Sequence, residues 1–157
     1  MTFDAKAELM RQWDGHRRLT LRVARAFPAD QLMTFTPTAP LRPFGAMLDE
    51  IARMERAYLR GLAEDEWTWD PASPPPPTTA GDAIAALEEA HAYTSRVWPD
   101  IPVASLLTTR KDPFFFGETY RPYDWLVYCV ENEIHHRGQG YTYLRELGVE
   151  PPKFWER

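Results

Sequence analysis

The sequence predicts an all-α fold, a four-helix bundle joined by long proline-rich connections. Apolar residues recur at helical spacing over four long stretches, no convincing stretch alternates apolar and polar residues as a half-buried strand does, and the 15 prolines fall mainly between those stretches. The 157 residues are one domain's worth, read as a single unit over 1–157. A fold of this size removes about 68 to 70% of its unfolded surface from water, so it needs neither a disulfide nor a metal for stability.

The first helix is expected from about Phe3 to Phe27. Lys6, Leu9, Met10, Trp13, His16, Thr20, Val23, Ala24 and Phe27 share one arc at about 100° per residue, and Pro28 stops the run. Four prolines make Pro28 to Pro43 a loop, and Pro43 suits the first turn of a second helix reaching Leu62. Its inner stripe is Phe44, Met47, Leu48, Ile51, Met54, Tyr58, Leu59 and Leu62. Glu64 to Gly81 reads as a spacer, because Pro74 to Pro77 favour an extended polyproline form and cannot pair as a central strand. Thr79 is placed to cap a third helix, about Gly81 to Trp98, with Ile84, Leu87, His91, Thr94 and Trp98 inward. Asp100 to Tyr120 is expected to be irregular, its triplet Phe114, Phe115 and Phe116 tucked on the bundle or meeting another subunit. The fourth helix runs from about Arg121 to Leu147, with Gly148 as its stop and Pro151 and Pro152 beyond.

Composition excludes several classes. A net charge of -5 opposes a broad grip on phosphate backbones, so no nucleic-acid partner is expected. No run reaches the roughly 20 apolar residues of a membrane span, and the mixed charges of Met1 to Arg11 do not make a secretion signal. The single Cys129 cannot form an internal bridge, so a cytoplasmic location is expected. Glycine-rich phosphate loops, G-x-S-x-G turns and H-E-x-x-H zinc signatures are absent from the sequence.

The fourth helix carries the most chemistry. Its apolar arc is wide, holding Leu126, Val130, Ile134, Tyr141 and Leu144 on one part and Trp125, Cys129, His136 and Tyr143 on another. His136 and Asn132 fall at the edge of that arc, whereas His135 falls on the polar face. Asn132 and His136 are four apart, the spacing by which one helix offers two ligands to one ion. Asparagine is a poor ligand for zinc-like metals, and the same spacing suits a hydrogen-bonded inward histidine with a polar neighbour. Glu55 lies inside the second helix's apolar arc, where Arg137 or another cation must meet it. His16, His91 and Cys129 are each either a replacement ligand or an ordinary core residue, and Phe154 and Trp155 are expected to pack.

The run Val130 to Gln139, with His135-His136-Arg137-Gly138-Gln139, followed by Tyr143-Leu144-Arg145, Leu147-Gly148 and Pro151-Pro152, resembles the final helix and tail of the DinB/YfiT-like superfamily. Gly45 to Leu59 resembles that family's second helix. The resemblance implies a four-helix bundle, often a homodimer, in which one histidine of the second helix and an H-x3-H pair of the last hold a divalent metal (Zn, Ni, Mn or Fe). It also implies a small-molecule substrate and thiol-linked transferase or isomerase chemistry with bacillithiol, mycothiol or glutathione. The three ligand positions fall here on Glu50, Asn132 and His136, so only one keeps its imidazole. Two readings stand. Either a harder, oxygen-rich metal site serves a transferase or hydrolase, or the metal is lost and Glu50 pairs directly with His136, leaving a dimeric binding module without catalysis.

Overall fold

The computed structural model describes residues 4–69, 74–114 and 117–157. Helix α1 (Ala5–Ala26) starts where the Asp4 carboxylate accepts hydrogen bonds from the Lys6 and Ala7 amides, a side-chain N-cap. Phe3 lies outside the described residues. Helix α2 (Phe44–Glu64) begins after Pro43 and ends on Asp65, whose φ of 56° is left-handed. Helix α3 (Ala80–Val97) is capped by Thr79 as its sequence predicts, the hydroxyl accepting from the Asp82 amide at 3.1 Å. Pro99 sits within a 3-10 turn, Trp98–Asp100, that follows it.

The stretch after Pro99, expected to be irregular, holds short regular elements beside the four long helices. A short helix α4 (Val103–Leu107) is followed by a two-stranded antiparallel ribbon of β1 (Arg110–Lys111) and β2 (Thr119–Tyr120). Too few residues separate its prolines and glycine for a periodic pattern to show. Buried Asp112 pins this stretch, accepting from the Tyr58 hydroxyl at 2.7 Å and from the Phe114 amide at 2.8 Å. Phe114 tucks against Tyr58, Trp67 and Trp69; Phe115 and Phe116 lie outside the described residues. The long final helix is therefore α5 (Pro122–Glu146), closed by Gly148 at φ 74° and a hydrogen bond from the Val149 amide to the Leu144 carbonyl. Among the described residues no helix is long and apolar enough to cross a membrane.

The four long helices form a ring in which α2 lies against α3 and α5, and α1 against α5 and α3. Two apolar clusters fill it. One holds Val23, Phe27, Phe44, Leu48, Ile51 and Leu144; the other holds Trp13, Tyr58, Trp98, Trp125, Leu126 and Cys129. Between them lies a charged layer of Arg17, Glu55, Glu133 and Arg137, all buried. The Arg17 guanidinium contacts Glu55 at 2.7 Å and Glu133 at 2.9 Å, and donates to the Leu87 carbonyl at 2.9 Å. Glu55's cation is thus Arg17, not Arg137, which hydrogen-bonds the His16 carbonyl and Thr20 instead.

Two further expectations are corrected. Ile134 is 40% exposed, because the fully buried Glu133 takes the inward direction on that turn of α5. Phe154 and Trp155 are 67% and 63% exposed and meet each other edge to face, since the chain beyond Pro152 runs along the outside of the bundle.

Candidate functional site

Glu50 stands on the second turn of α2 and His136 in the middle of α5, and the two meet at the ring's α2–α5 seam. His136 Nε2 lies 3.0 Å from Glu50 Oε1. A carboxylate only accepts, so Nε2 carries a hydrogen and donates it, which leaves Nδ1 as the basic atom of the neutral ring. Nδ1 lies 3.3 Å from the Gln139 side-chain oxygen, a long contact that an amide flip would turn into donation to the ring. The other Glu50 oxygen contacts the Arg42 guanidinium at 2.7 Å, and the Tyr143 hydroxyl donates to the Arg42 carbonyl at 3.1 Å, tethering that loop to α5. Hydrogen bonding from His136 outweighs partial burial and holds the Glu50 carboxyl at about 2, so Glu50 is ionised under all ordinary conditions. The Tyr128 hydroxyl, two turns before His136 on α5, is pushed up by burial and then by the Glu50 charge.

The structure brings together two of the three residues singled out in the sequence. Asn132 faces the interior at 8% exposure, but its amide nitrogen has no hydrogen-bond partner and the side chain makes no hydrogen bond to Glu50 or His136. His135 is exposed, as its wheel position predicts. The possible replacement ligands are placed elsewhere. His16 sits between Arg137 and Arg157, and His91 between Glu55 and Asp14. Cys129 is buried in the apolar cluster with Trp125, and burial raises its thiol well above the ordinary value.

His91 shows how this interior uses a histidine. Its Nδ1 lies 3.0 Å from Glu55 and its Nε2 2.7 Å from Asp14, so both nitrogens face acceptors and the ring is an imidazolium. Desolvation and Arg17 lower its pKa, but hydrogen bonds and charge from Glu55 and Asp14 outweigh them and the net shift is upward. A raised folded pKa means that the stabilisation is complete below the unfolded value of about 6.5 and is lost as pH rises through the folded value. Urea denaturation of wild type and His91→Gln should therefore show a stability gap that is widest at acidic to neutral pH and closes in the alkaline range; a gap that widens with alkalinity would refute the imidazolium.

The profile of the DinB family matches residues 1–157, the whole chain. The chain belongs to the DinB family. Solved structures agree on the fold: a DinB-like protein from Bacillus cereus is 16% identical with a TM-score of 0.75, covering 94% of this chain and 95% of that one. A DinB-like protein of Bacillus subtilis, YjoA, is 19% identical at 0.74, covering 96% and 99%. A DinB-family protein from Exiguobacterium sibiricum is 20% identical at 0.72, covering 98% and 99%. No match is found among curated proteins.

The divalent metal that resemblance to this family implies does not fit the donor set at Glu50, Asn132 and His136. The His136 nitrogen that would coordinate it donates to Glu50 instead, and the other Glu50 oxygen is taken by Arg42, a fixed positive charge that would repel a metal cation. Among the described residues there is no group of three or more His, Cys, Asp or Glu side chains able to hold a metal ion. What remains is a carboxylate that contacts an imidazole through one oxygen and a guanidinium through the other, an arrangement suited to moving or fixing a proton.

Proposed function

We propose that this DinB-family chain binds a small molecule at the Glu50–His136 pair and acts on it by proton transfer without a divalent metal. The observation that supports this reading is the 3.0 Å contact between an ionised carboxylate and a buried imidazole at the family's ligand positions. Glu50 fixes the tautomer, leaving Nδ1 as general base, as in other acid-base centres where a carboxylate orients a histidine. The reaction class is thiol transfer: Nδ1 takes the proton of a low-molecular-weight thiol, and the sulfur electron pair forms a bond to an electrophilic carbon. The leaving group departs with its bonding pair and receives the proton. Gln139, which is half-buried, must swing off Nδ1 for this. A reducing cytoplasm, where such thiols accumulate, is the setting that suits this chemistry.

The second reading is a dimeric binding module without catalysis, and the enclosure of His136 by Gln139 on one side and Glu50 on the other favours it.

Two measurements decide among the readings. With untagged protein incubated with Zn, Ni, Mn and Fe, metal well below stoichiometric is expected; near-stoichiometric metal lost in His136→Ala would restore a Glu50–Asn132–His136 metal site. In a thiol–electrophile conjugation assay, His136→Gln should lose about 10²- to 10⁴-fold in rate. Wild-type protein without measurable conjugation would support the binding module.

A further inference from the structure

We propose that His16, Arg18 and Arg157 form a binding site for a small oxyanion, a phosphate or carboxylate group, on the outer side of α1, away from the Glu50–His136 pair. The argument starts with a mismatch of donors. Arg137 is 6% exposed, and no carboxylate lies within 4 Å of it among the described residues; its Nη2 meets His16 Nδ1 at 3.0 Å while its Nη1 donates to the His16 carbonyl and the Thr20 hydroxyl. A guanidinium only donates, so Nδ1 must accept, and the hydrogen of the neutral ring sits on Nε2. Nε2 faces Arg157 Nη1 at 3.1 Å. A ring N–H and a guanidinium N–H then point at each other without an acceptor, an arrangement that one shared oxyanion would satisfy.

The surroundings are shaped for such a group. Arg157, which meets His16, also lines a pocket of about 210 Å³ together with Arg11, Gln12, Asp14, Gly15 and Arg18. Gly15 occupies a mid-helix position, where it costs about 1 kcal/mol against alanine. A Cβ there would lie 3.4 Å from the Arg157 Cβ and 3.8 Å from Arg18 Nη2, so the missing side chain leaves a notch that both arginines overhang. Neither Arg18 nor Arg157 has a carboxylate within 4 Å among the described residues, in a protein of net charge -5. The charges that share the wall are already matched: Arg11 pairs with Glu8, and Asp14 with His91. Desolvation and the two flanking guanidiniums push the His16 pKa down to about 4, which keeps the ring neutral and its Nε2 hydrogen available.

The test is an NMR titration of N-terminally tagged protein with inorganic phosphate and, separately, with acetate, at ionic strength held constant by chloride. Saturable shifts of the His16 ring signals are expected, weakened about tenfold or more in Arg18→Met and in Arg157→Met and unchanged in Arg25→Met. The bound anion should also raise the His16 pKa, because it offsets the guanidiniums that depress it. Response to phosphate alone would assign phosphorylated ligands, and response to acetate alone would assign carboxylates. Shifts that do not saturate, that chloride reproduces, or that survive in the Arg18→Met/Arg157→Met double variant would overturn the site.

Discussion

Arg17→Met is expected to destabilise the fold by about 3 to 5 kcal/mol, the usual cost of removing one partner from a buried ion cluster. Arg17 joins α1 to the Glu55 carboxylate of α2 and the Glu133 carboxylate of α5, both with no exposed side-chain surface, and to the Leu87 carbonyl of α3. Methionine fills much of the volume, so packing loss is small and the effect measures charge. Without the guanidinium, two carboxylates face each other in the interior, where Thr94 and His91 still serve Glu55 but Glu133 loses its hydrogen bonds. Thermal unfolding should fall by about 10 °C or more for a chain of this length. Arg17→Lys should recover only part of this, because one ammonium cannot serve both carboxylates and a carbonyl in the guanidinium's planar geometry. A loss below about 1 kcal/mol for Arg17→Met would mean that water, and not Arg17, balances the acidic pair.

Gly140→Ala is expected to cost about 1 to 3 kcal/mol, although alanine is the better helix former by about 1 kcal/mol. A Cβ at Gly140 would lie 2.8, 2.9 and 3.1 Å from three atoms of the Phe44 ring. That ring cannot turn aside freely, since it stacks on Phe27 at a centroid distance of 5.2 Å. The strain must instead part α2 from α5. Gly140 is one turn after His136 and Phe44 lies six residues before Glu50, so the same close approach that alanine blocks is what sets the 3.0 Å contact at the site. The Glu50 carboxyl should then titrate well above about 2, towards the ordinary carboxylate range, as followed by carboxyl carbon NMR. Adding Phe44→Leu, which removes the rigid ring edge, should return part of the lost stability. A Gly140→Ala protein that is more stable than wild type with Glu50 unshifted would show that the seam has slack.

How far such features are legible in sequence depends on which residue types reveal a direction. Thr79 and Gly148 act through their own backbone and nearest neighbours and do in the structure what their positions imply, while Pro43 stands one residue ahead of its expected first turn, as the N-cap of α2. His136 and His135 were separable because an arc of apolar residues marks the inward side of α5. That same reliance on apolar residues misplaced Ile134 and passed over Arg17 and Glu133. Leu126, Val130, Glu133, Arg137, Gly140 and Leu144 follow an inward spacing of three and four, and the signal was present as two charged residues in register with an apolar stripe. A charge reads as solvated unless its partner is known, and the partners here are 116 residues apart.

The chain's own periodicity, caps and prolines were enough for the long helices, because those features report forces acting within a few residues. Residues Glu50, Asn132 and His136 could be picked out from their resemblance to the family's ligand positions, and a direct Glu50–His136 pair stood as one of two readings beside a shared metal site. Only packing decided that Glu50 and His136 share a hydrogen bond, that Arg42 claims the remaining oxygen, and that Asn132 keeps to itself. The physical reason is distance along the chain: a contact spanning 86 residues depends on how closely two helices approach, and that is set by the face of a glycine meeting the edge of a phenylalanine ring.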